Sequence, residues 1–578
     1  MLTAASTAAC GGSHHPAATP QPPPGSSSTT TTVAAPPSPA QANLDTSASL
    51  ALAVPSAPNN WNPLAVGGNS AATALISAGV LPSAYQELAD GSYQLNTEFV
   101  TSVEATGRRP QVVVYHLNPK ATWSDGNAIT ANDFVYTWEA DSGNSKFKDL
   151  GGQPFSPVST LGYADIVSVR ATAGDPDTVT VTFGAAFADW KSLFGPILPA
   201  QVAQSVGFDH GFTDPVNDDV SGGPFLVQSE VPGRSVTLVR NARYWGPPAA
   251  LSSLVVDFAG PPAVGGALMA GQLGAALLDI TQVPSSGGLL AQLRSTTGLK
   301  VDEAPGAEWE DLEFGSASPL LADPALRQAI VLAVDRSALI TAAVGSPSGI
   351  VPLGNRYFLP QSAGYVDNTQ AHYLHANLAQ AQRVLASGGY ALSGGVLSKG
   401  TTPVVLNLIA GVRDSLHEAE EAALVSDLSA IGIAVHVSVV ADLAGRLAQG
   451  NFDMAIVERT GSSDPQSQPL PTFVDQPVTA SSAHTTSKAA QVAAGATPAV
   501  RADVAALEKK ADAATTVAAQ DALYNQLDAL LWLDAASLPL FQLPTVLVYQ
   551  TRYANLSVMS TPGGLGYDMA QWGVPNRS

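Results

Sequence analysis

The sequence predicts a mixed α/β or α+β protein with more than one sheet. Three observations carry that reading: runs of β-branched residues with period-two alternation, helical segments between them that open on recognisable caps, and a strand–helix–strand unit over residues 402–440. The length of 578 residues corresponds to three or four domains' worth of chain at about 150 residues each.

Order begins near Ser47–Pro55, where alternating apolar and small residues read as a first strand. Residues 111–117 (QVVVYHL) alternate around a β-branched run and read as a second. Thr130 caps the helix that follows, and Asp133 sits in its first turn, where the helix dipole favours an anion. Residues 164–170 and 178–184 form a hairpin about the turn Gly174-Asp175-Pro176-Asp177. Asp323-Pro324 starts a helix that the pattern ALRQAIVLAVDRSALITAAV carries without interruption. Residues 376–386 read as a helix stopped by Gly388-Gly389. A strand at 402–410, a helix at 414–430 and a strand at 433–440 complete the strand–helix–strand unit. Residues 461–500 are weakly patterned and read as a long surface excursion. One helix then spans about 501–534, ahead of an apolar strand at 538–549.

Composition removes several function classes. There are 26 Lys plus Arg against 47 Asp plus Glu, a formal charge of −21, so the basic footprint that nucleic acid requires is missing. A single cysteine rules out an intramolecular disulfide and any Cys-rich zinc or iron–sulfur site. No apolar run approaches the roughly 18–20 residues of a membrane helix. Residues 11–45 are too rich in Pro, Ser, Thr and Gly to bury an apolar face, and read as a disordered tether.

Catalytic motifs are missing as well. No phosphate loop, dinucleotide-binding glycine pattern or nucleophile elbow occurs. His417-Glu418-Ala419-Glu420-Glu421 lacks the second His that would put two imidazoles on one helix face, so it reads as a solvated acidic face. His14-His15 reads as tail composition. The residues point to a binding body without cofactor, metal or catalytic residues.

Two resemblances extend this reading. The small residues before Cys10, followed by the Pro/Ser/Thr tract, resemble a bacterial lipobox and its tether, with Thr7 where Leu is usual. That resemblance implies acylation of Cys10 and anchoring at the extracytoplasmic face of the cell membrane. The second is spread over the body. Residues 113–140 (VVYHLNPKATWSDGNAITANDFVYTWEA) resemble a signature stretch of the family 5 extracytoplasmic solute-binding proteins, through Trp123, Asp125, Gly126, Thr130, Ala131 and Asp133. Ser221-Gly222-Gly223-Pro224-Phe225 with 237–245 (TLVRNARYW), 323–340 (DPALRQAIVLAVDRSALI), 451–454 (NFDM) with Asp464-Pro465, and 538–541 (LPLF) follow in family order. Most matched residues have structural expectations: a turn at Asp125-Gly126, packing by Arg240 and Trp245, and pairing of Arg327 on a helix.

The family resemblance implies a periplasmic-binding-protein type II fold. It has two lobes, an extra subdomain in lobe one and a two-stranded hinge, with ligand enclosed in the cleft. The chain crosses between lobes near Val301–Glu313 and Leu538–Val548, which gives a leader and tether over 1–45, lobe one over 46–305, lobe two over 306–544 and a return to lobe one over 545–578. Ligand contacts both lobes only when they close, so binding biases the hinge toward closure. A monomeric receptor of an ABC importer, capturing a peptide or similar polar solute for a permease, is the function implied. Peptide receptors of the family hold the peptide's α-amino group with an Asp, and Gly461 stands at that position, with Glu458 and Asp464 nearby. By position, Asn60, Trp61, Tyr85, Arg356, Tyr357, Glu458, Arg459 and Asp464 are the ligand-binding candidates. Residues 61–85 (WNPLAVGGNSAATALISAGVLPSAY) also resemble the opening of actinobacterial lipoproteins tied to cell-envelope glycolipid synthesis. This implies an alternative, a regulatory or interaction lipoprotein using the same fold for a glycolipid.

Overall fold

The computed structural model describes residues 43–106, 110–215, 220–283, 288–345, 349–369, 372–411, 414–462, 464–468, 498–559, 564–566 and 568–576. Cys10, His14-His15, the tether before residue 43 and most of the 461–500 excursion lie outside the described residues.

One sheet runs through both lobes. In chain order its strands are β1 (Ser49–Val54), β2 (Phe225–Val231), β3 (Ser235–Arg240), β4 (Ser253–Phe258), β5 (Ala275–Leu278), β6 (Leu299–Phe314), β7 (Val405–Ala410), β8 (Ala434–Val439), β9 (Met454–Thr460) and β10 (Ser537–Gln550). Their spatial order is β8-β7-β9-β6-β10-β5-β1-β4-β3-β2. The strand–helix–strand unit is as expected: β7 and β8 are parallel and the helix Ser415–Ser429 connects them.

The two long strands β6 and β10 lie at the centre of this order and pair antiparallel. Leu299–Pro305 faces Pro544–Gln550, and there the register breaks before Trp309 pairs with Gln542. Beyond the break, β6 pairs on its other edge with β9, while β10 pairs with β5 on the lobe-one side. Pro305 stands opposite Pro544 at the break, and neither residue has an N–H to donate to the ladder. Gly306 is required there, because a Cβ would lie 2.6 Å from Thr545 Oγ1 and 2.7 Å from the Leu543 carbonyl oxygen. This is the two-stranded hinge.

Two large cores flank the hinge. One gathers Leu50, Phe134, Tyr115, Phe194 and Trp572, and the other Phe314, Ile330, Leu408, Leu424, Tyr524 and Phe541. Val264, Leu268, Leu290 and Leu293 belong to the second core, although they precede β6 in the chain. The first core is extended by a four-stranded sheet, Val100–Thr106, Val112–Leu117, Asp175–Phe183 and Ile166–Thr172 in spatial order, packed by the helix Ala131–Asp141. Thr130 and Asp133 form a full capping box at that helix's start. The Ser221-Gly222-Gly223 turn carries the buried Ser221 hydroxyl, which donates to the Val80 carbonyl and sits against that of Phe225. Gly223 permits the approach, since a Cβ would lie 2.3 Å from the Gly79 carbonyl oxygen.

Two helix expectations are corrected. The stretch 324–344 is not one helix: Pro324–Ala333 ends at extended Val334, and Asp335 caps a second helix, Arg336–Val344. The expected helix at 501–534 is Pro498–Asp512 followed by Val517–Leu533, whose start Thr516 caps. In both cases a side chain that accepts from the next turn's N–H outcompetes continued helix. Arg327 pairs not along its own helix but across to the cap of another: its guanidinium meets Asp534 Oδ1 at 2.9 Å and donates to the carbonyls of Leu321 and Asp534. Both side chains are buried, so cutting Arg327 back would strand a carboxylate in the core. Arg327→Ala is expected to cost about 3–5 kcal/mol in urea unfolding, and Arg327→Lys, which keeps charge without the fork, about half of that.

Candidate functional site: a polar cleft between the lobes

The lobe-two wall of the cleft is the loop after β9. Gly461 donates its N–H to the Ala307 carbonyl at 2.7 Å, and a Cβ there would lie 2.5 Å from Leu359 Cδ1. A side chain at this position would require Leu359 to shift. Three residues on, Asp464 is buried and caps the turn Pro465–Ser467, accepting from Gln466 N–H at 2.9 Å. Ser462, Asp464 and Ser467 face Asp141, Tyr163, Ser192 and Gly195 of lobe one across a cavity of about 290 Å³. A second cavity, of about 400 Å³, shares Pro63, Tyr93, Ser192 and Gly195 with the first and is lined largely by apolar groups, among them Leu81, Phe99, Met559 and Met569. The lobes already touch nearby, where Ala363 N–H donates to the Asp90 carbonyl.

Two carboxylates, Asp141 and Asp464, line the polar cavity from opposite sides, and Asp189 and Asp521 lie behind it, near enough for Asp189 to feel the charges of Asp464 and Asp521. Asp189, at the start of the turn Trp190–Ser192, is buried, and its Oδ2 has no hydrogen-bond partner among the described residues. Burial pushes it up to about 8, helped by the charges of Asp464 and Asp521. Asp521 is itself pushed up to about 6 by burial. Asp141 is the last residue of its helix and lies well above the ordinary carboxylate range, again through burial, with Oδ2 unpartnered among the described residues. Among those residues, neither Asp141 nor Asp189 takes part in an ion pair. Buried carboxyl groups held neutral in this way ionise most readily against a positively charged group, so the pocket favours one.

The eight residues proposed from sequence fall into three groups. Tyr85 lines the apolar cavity, edge-on to Trp190, and Asp464 lines the polar one. Four are held by internal partners. Asn60 is buried and donates to the Asp209 carbonyl. Arg356 is buried against Asp528 at 3.0 Å and stacks over Trp532. Tyr357 is buried beside Tyr524, and Arg459 pairs with Asp311 and Glu313. Trp61 packs against Phe258, and Glu458 lies on an exposed stretch of β9. Asp141, Asp189 and Asp521 were not among the candidates. One signal was available for Asp141: a carboxylate in the last turn of a helix opposes the helix dipole and needs another reason to be there.

Two lobes on a two-stranded hinge, with a ligand-sized cleft between them, define a hinge-closing solute-binding protein. Sequence comparison gives the family: the description "Bacterial extracellular solute-binding proteins, family 5 Middle" matches residues 102–480, and the chain belongs to that family. It is 30% identical to the "Oligopeptide-binding protein OppA" of Mycobacterium tuberculosis over 89% of this chain and 83% of that one. It is also 30% identical to the "Probable monoacyl phosphatidylinositol tetramannoside-binding protein LpqW" of Mycobacterium tuberculosis, over 53% of this chain and 47% of that one. Among solved structures, the periplasmic EDTA-binding protein EppA superposes with a TM-score of 0.78 at 25% identity, covering 93% of this chain and 98% of that one. The expected fold and family are therefore those observed, and these relatives are binding proteins.

Asp189 makes a pH prediction. Its folded-state value lies above the ordinary carboxylate value, so the folded protein binds the extra proton and stability falls as pH rises between about 4 and 8. Asp189→Asn is expected to raise stability by about 1–3 kcal/mol at pH 8 and to change it little at pH 4. Thermal or urea unfolding across that range checks this.

Proposed function

We propose that the protein captures a peptide or similar solute carrying a free amino group, holds it by hinge closure, and presents the closed form to an ABC permease at the outer face of the cell membrane. The observation that carries the reading is the pair Asp141 and Asp464, one from each lobe, lining one cavity, with Asp189 close enough to feel the charge of Asp464. An ammonium group placed there pairs with carboxylates of both lobes at once, and that pairing is formed only when the lobes close. Gly461 removes the family's usual amine anchor, and Asp464 with Asp141 supplies the charge from different positions. The adjoining apolar cavity accepts a neighbouring side chain. Nothing in this mechanism requires chemistry on the ligand, and we read the protein as a receptor without catalytic activity. Acylation of Cys10 would hold it at the membrane, and the tether would give it reach.

A second reading follows from the similarity to LpqW and from the mostly apolar lining of the larger cavity, which suits an acyl chain. Mass spectrometry of material co-purified from the native host separates the two, since recovered peptides support the first and recovered mannolipids the second. For the amine itself, calorimetry with short peptides is expected to show about tenfold or greater loss of affinity on N-acetylation and a similar loss in Asp464→Asn. Equal affinity for free and acetylated peptides would remove the amine from the proposal. Because a bound cation lowers the value of Asp189, binding at pH 7 is expected to release protons, read as a binding heat that changes with buffer.

A further inference from the structure

The helix Ser415–Ser429 does not present the solvated acidic face expected from its sequence. His417, Glu420 and Glu421 are buried, as is Glu310, which reaches the same place from β6. Both carboxylate oxygens of Glu310 and both of Glu420 are buried without a hydrogen-bond partner among the described residues. Their location is fixed by ordinary strand and helix geometry. Glu310 points to the face of the sheet opposite that of Asp311 and Glu313, whose charges Arg459 neutralises. His417 and Glu420 are three residues apart and share one helix face.

The imidazole is oriented. Asp414 caps the helix, with Oδ1 accepting from the N–H groups of Leu416 and His417 at 3.0 Å each, and its Oδ2 lies 2.9 Å from His417 Nδ1. A proton on Nδ1 donates to that carboxylate, which leaves Nε2 as the acceptor nitrogen, 3.8 Å from Glu310 Oε1. One ligand atom each from Glu310, His417 and Glu420 lies within 4.8 Å of the others. An ion at about 2.0–2.2 Å from each ligand holds them closer together, and sub-ångström movement of the side chains closes the gap.

We propose that Glu310, Glu420 and His417, with Asp414 behind the imidazole, form a binding site for one divalent transition-metal ion of the zinc class. Two carboxylates and one imidazole give a hard, mixed O/N donor set that suits zinc or manganese and leaves a position for water. The alternative for two adjacent buried carboxylates is protonation. Burial, with the charges of Glu458, Asp414 and Asp311, pushes Glu310 up to about 8, and Glu420 lies well above its ordinary value through burial and through Glu310, Asp414 and Glu421. A dication satisfies both carboxylates and ties the helix to the strand that forms half of the hinge. The site is separate from the ligand cleft, whose cavity Glu310, His417 and Glu420 do not line.

The test uses the full chain, stripped with EDTA and returned to metal-free buffer. Titration with zinc chloride is expected to show one equivalent bound with micromolar or tighter affinity and a rise in Tm of several degrees. Cobalt(II) is expected to give d–d absorption without the thiolate charge-transfer band that Cys10 would produce. The double variant Glu310→Gln/Glu420→Gln should lose this binding, and His417→Gln should weaken it about tenfold or more with unchanged circular dichroism. The variant His14→Ala/His15→Ala should bind as the parent does. Absence of a saturable equivalent, its survival in the double Glu variant, or its loss with His14 and His15 would each overturn the proposal. So would stabilisation of the double Glu variant in a parent that binds no zinc, which identifies a protonated carboxyl pair instead.

Discussion

The pairing of β6 with β10 is the constraint on which the rest of the structure depends. Strand β10 contributes side chains to both cores and β6 is paired to it along most of its length, so neither lobe has a sheet that is independent of the other. A continuous ladder through that point would be stiff, because each residue would exchange hydrogen bonds with its neighbour. Three prolines are placed where the ladder must be weak. Pro544 meets Pro305 immediately before the register break, and Pro539 pairs with Asp311 at the second irregularity. Proline within a central strand is otherwise excluded, because it removes a ladder donor. Here its placement confines bending to a few residues while the flanking stretches, almost wholly buried along β10, stay rigid. Closure then moves two intact cores about one joint, which is how a small set of ligand contacts governs the whole molecule.

That arrangement also separates the roles of buried charge. The body is sparing with ionic groups, at 13% charged residues, and those it buries are of two kinds. Arg327 with Asp534, Arg356 with Asp528, and Arg459 with Asp311 and Glu313 are complete pairs, each joining segments distant in the chain. A pair of this kind adds little net stability relative to apolar packing, but removing one partner is costly. Asp141, Asp189, Glu310 and Glu420 are the other kind, carboxylates with buried oxygens that have no hydrogen-bond partner among the described residues. Internal packing does not explain them, and they are the positions at which a ligand or ion changes the energy most.

Local signals in the sequence were sufficient for much of the fold. The Thr130/Asp133 cap, the Gly174 hairpin and the strands of the β7–helix–β8 unit depend on residues within a few positions of one another. The two overextended helices show the limit: Asp335 and Thr516 are ordinary residues within a helical pattern until their side chains turn back to cap. The site was less legible for a similar reason. Arg356 and Tyr357 have the chemistry of ligand-binding residues, yet tertiary packing gives them Asp528 and Tyr524 as partners. Asp189 has no distinguishing neighbours in sequence, and its significance arises only when folding brings Asp464 and Asp521 close to it. Burial of His417 and Glu420 was hidden likewise, because an acidic helix face looks solvated until Glu310 is placed against it.

The sign of the cleft's charge bears on which ligand it accepts. A peptide puts an ammonium at one end of an otherwise neutral, partly apolar chain, which matches a cavity walled by carboxylates that adjoins one lined largely by apolar groups. A phosphate-bearing lipid offers the same apolar match but brings a negative group toward Asp464, and like charges facing each other across a closed interface are unfavourable. Such a ligand would have to direct its phosphate away from the polar cavity, and so lose contact with the lobe-two wall at Ser462, Asp464 and Ser467. Contact with both walls is what drives closure, so a ligand confined to the apolar cavity of lobe one would bind without strongly biasing the hinge. A closed receptor therefore favours the cationic solute, whereas an anionic lipid would leave the lobes free to part.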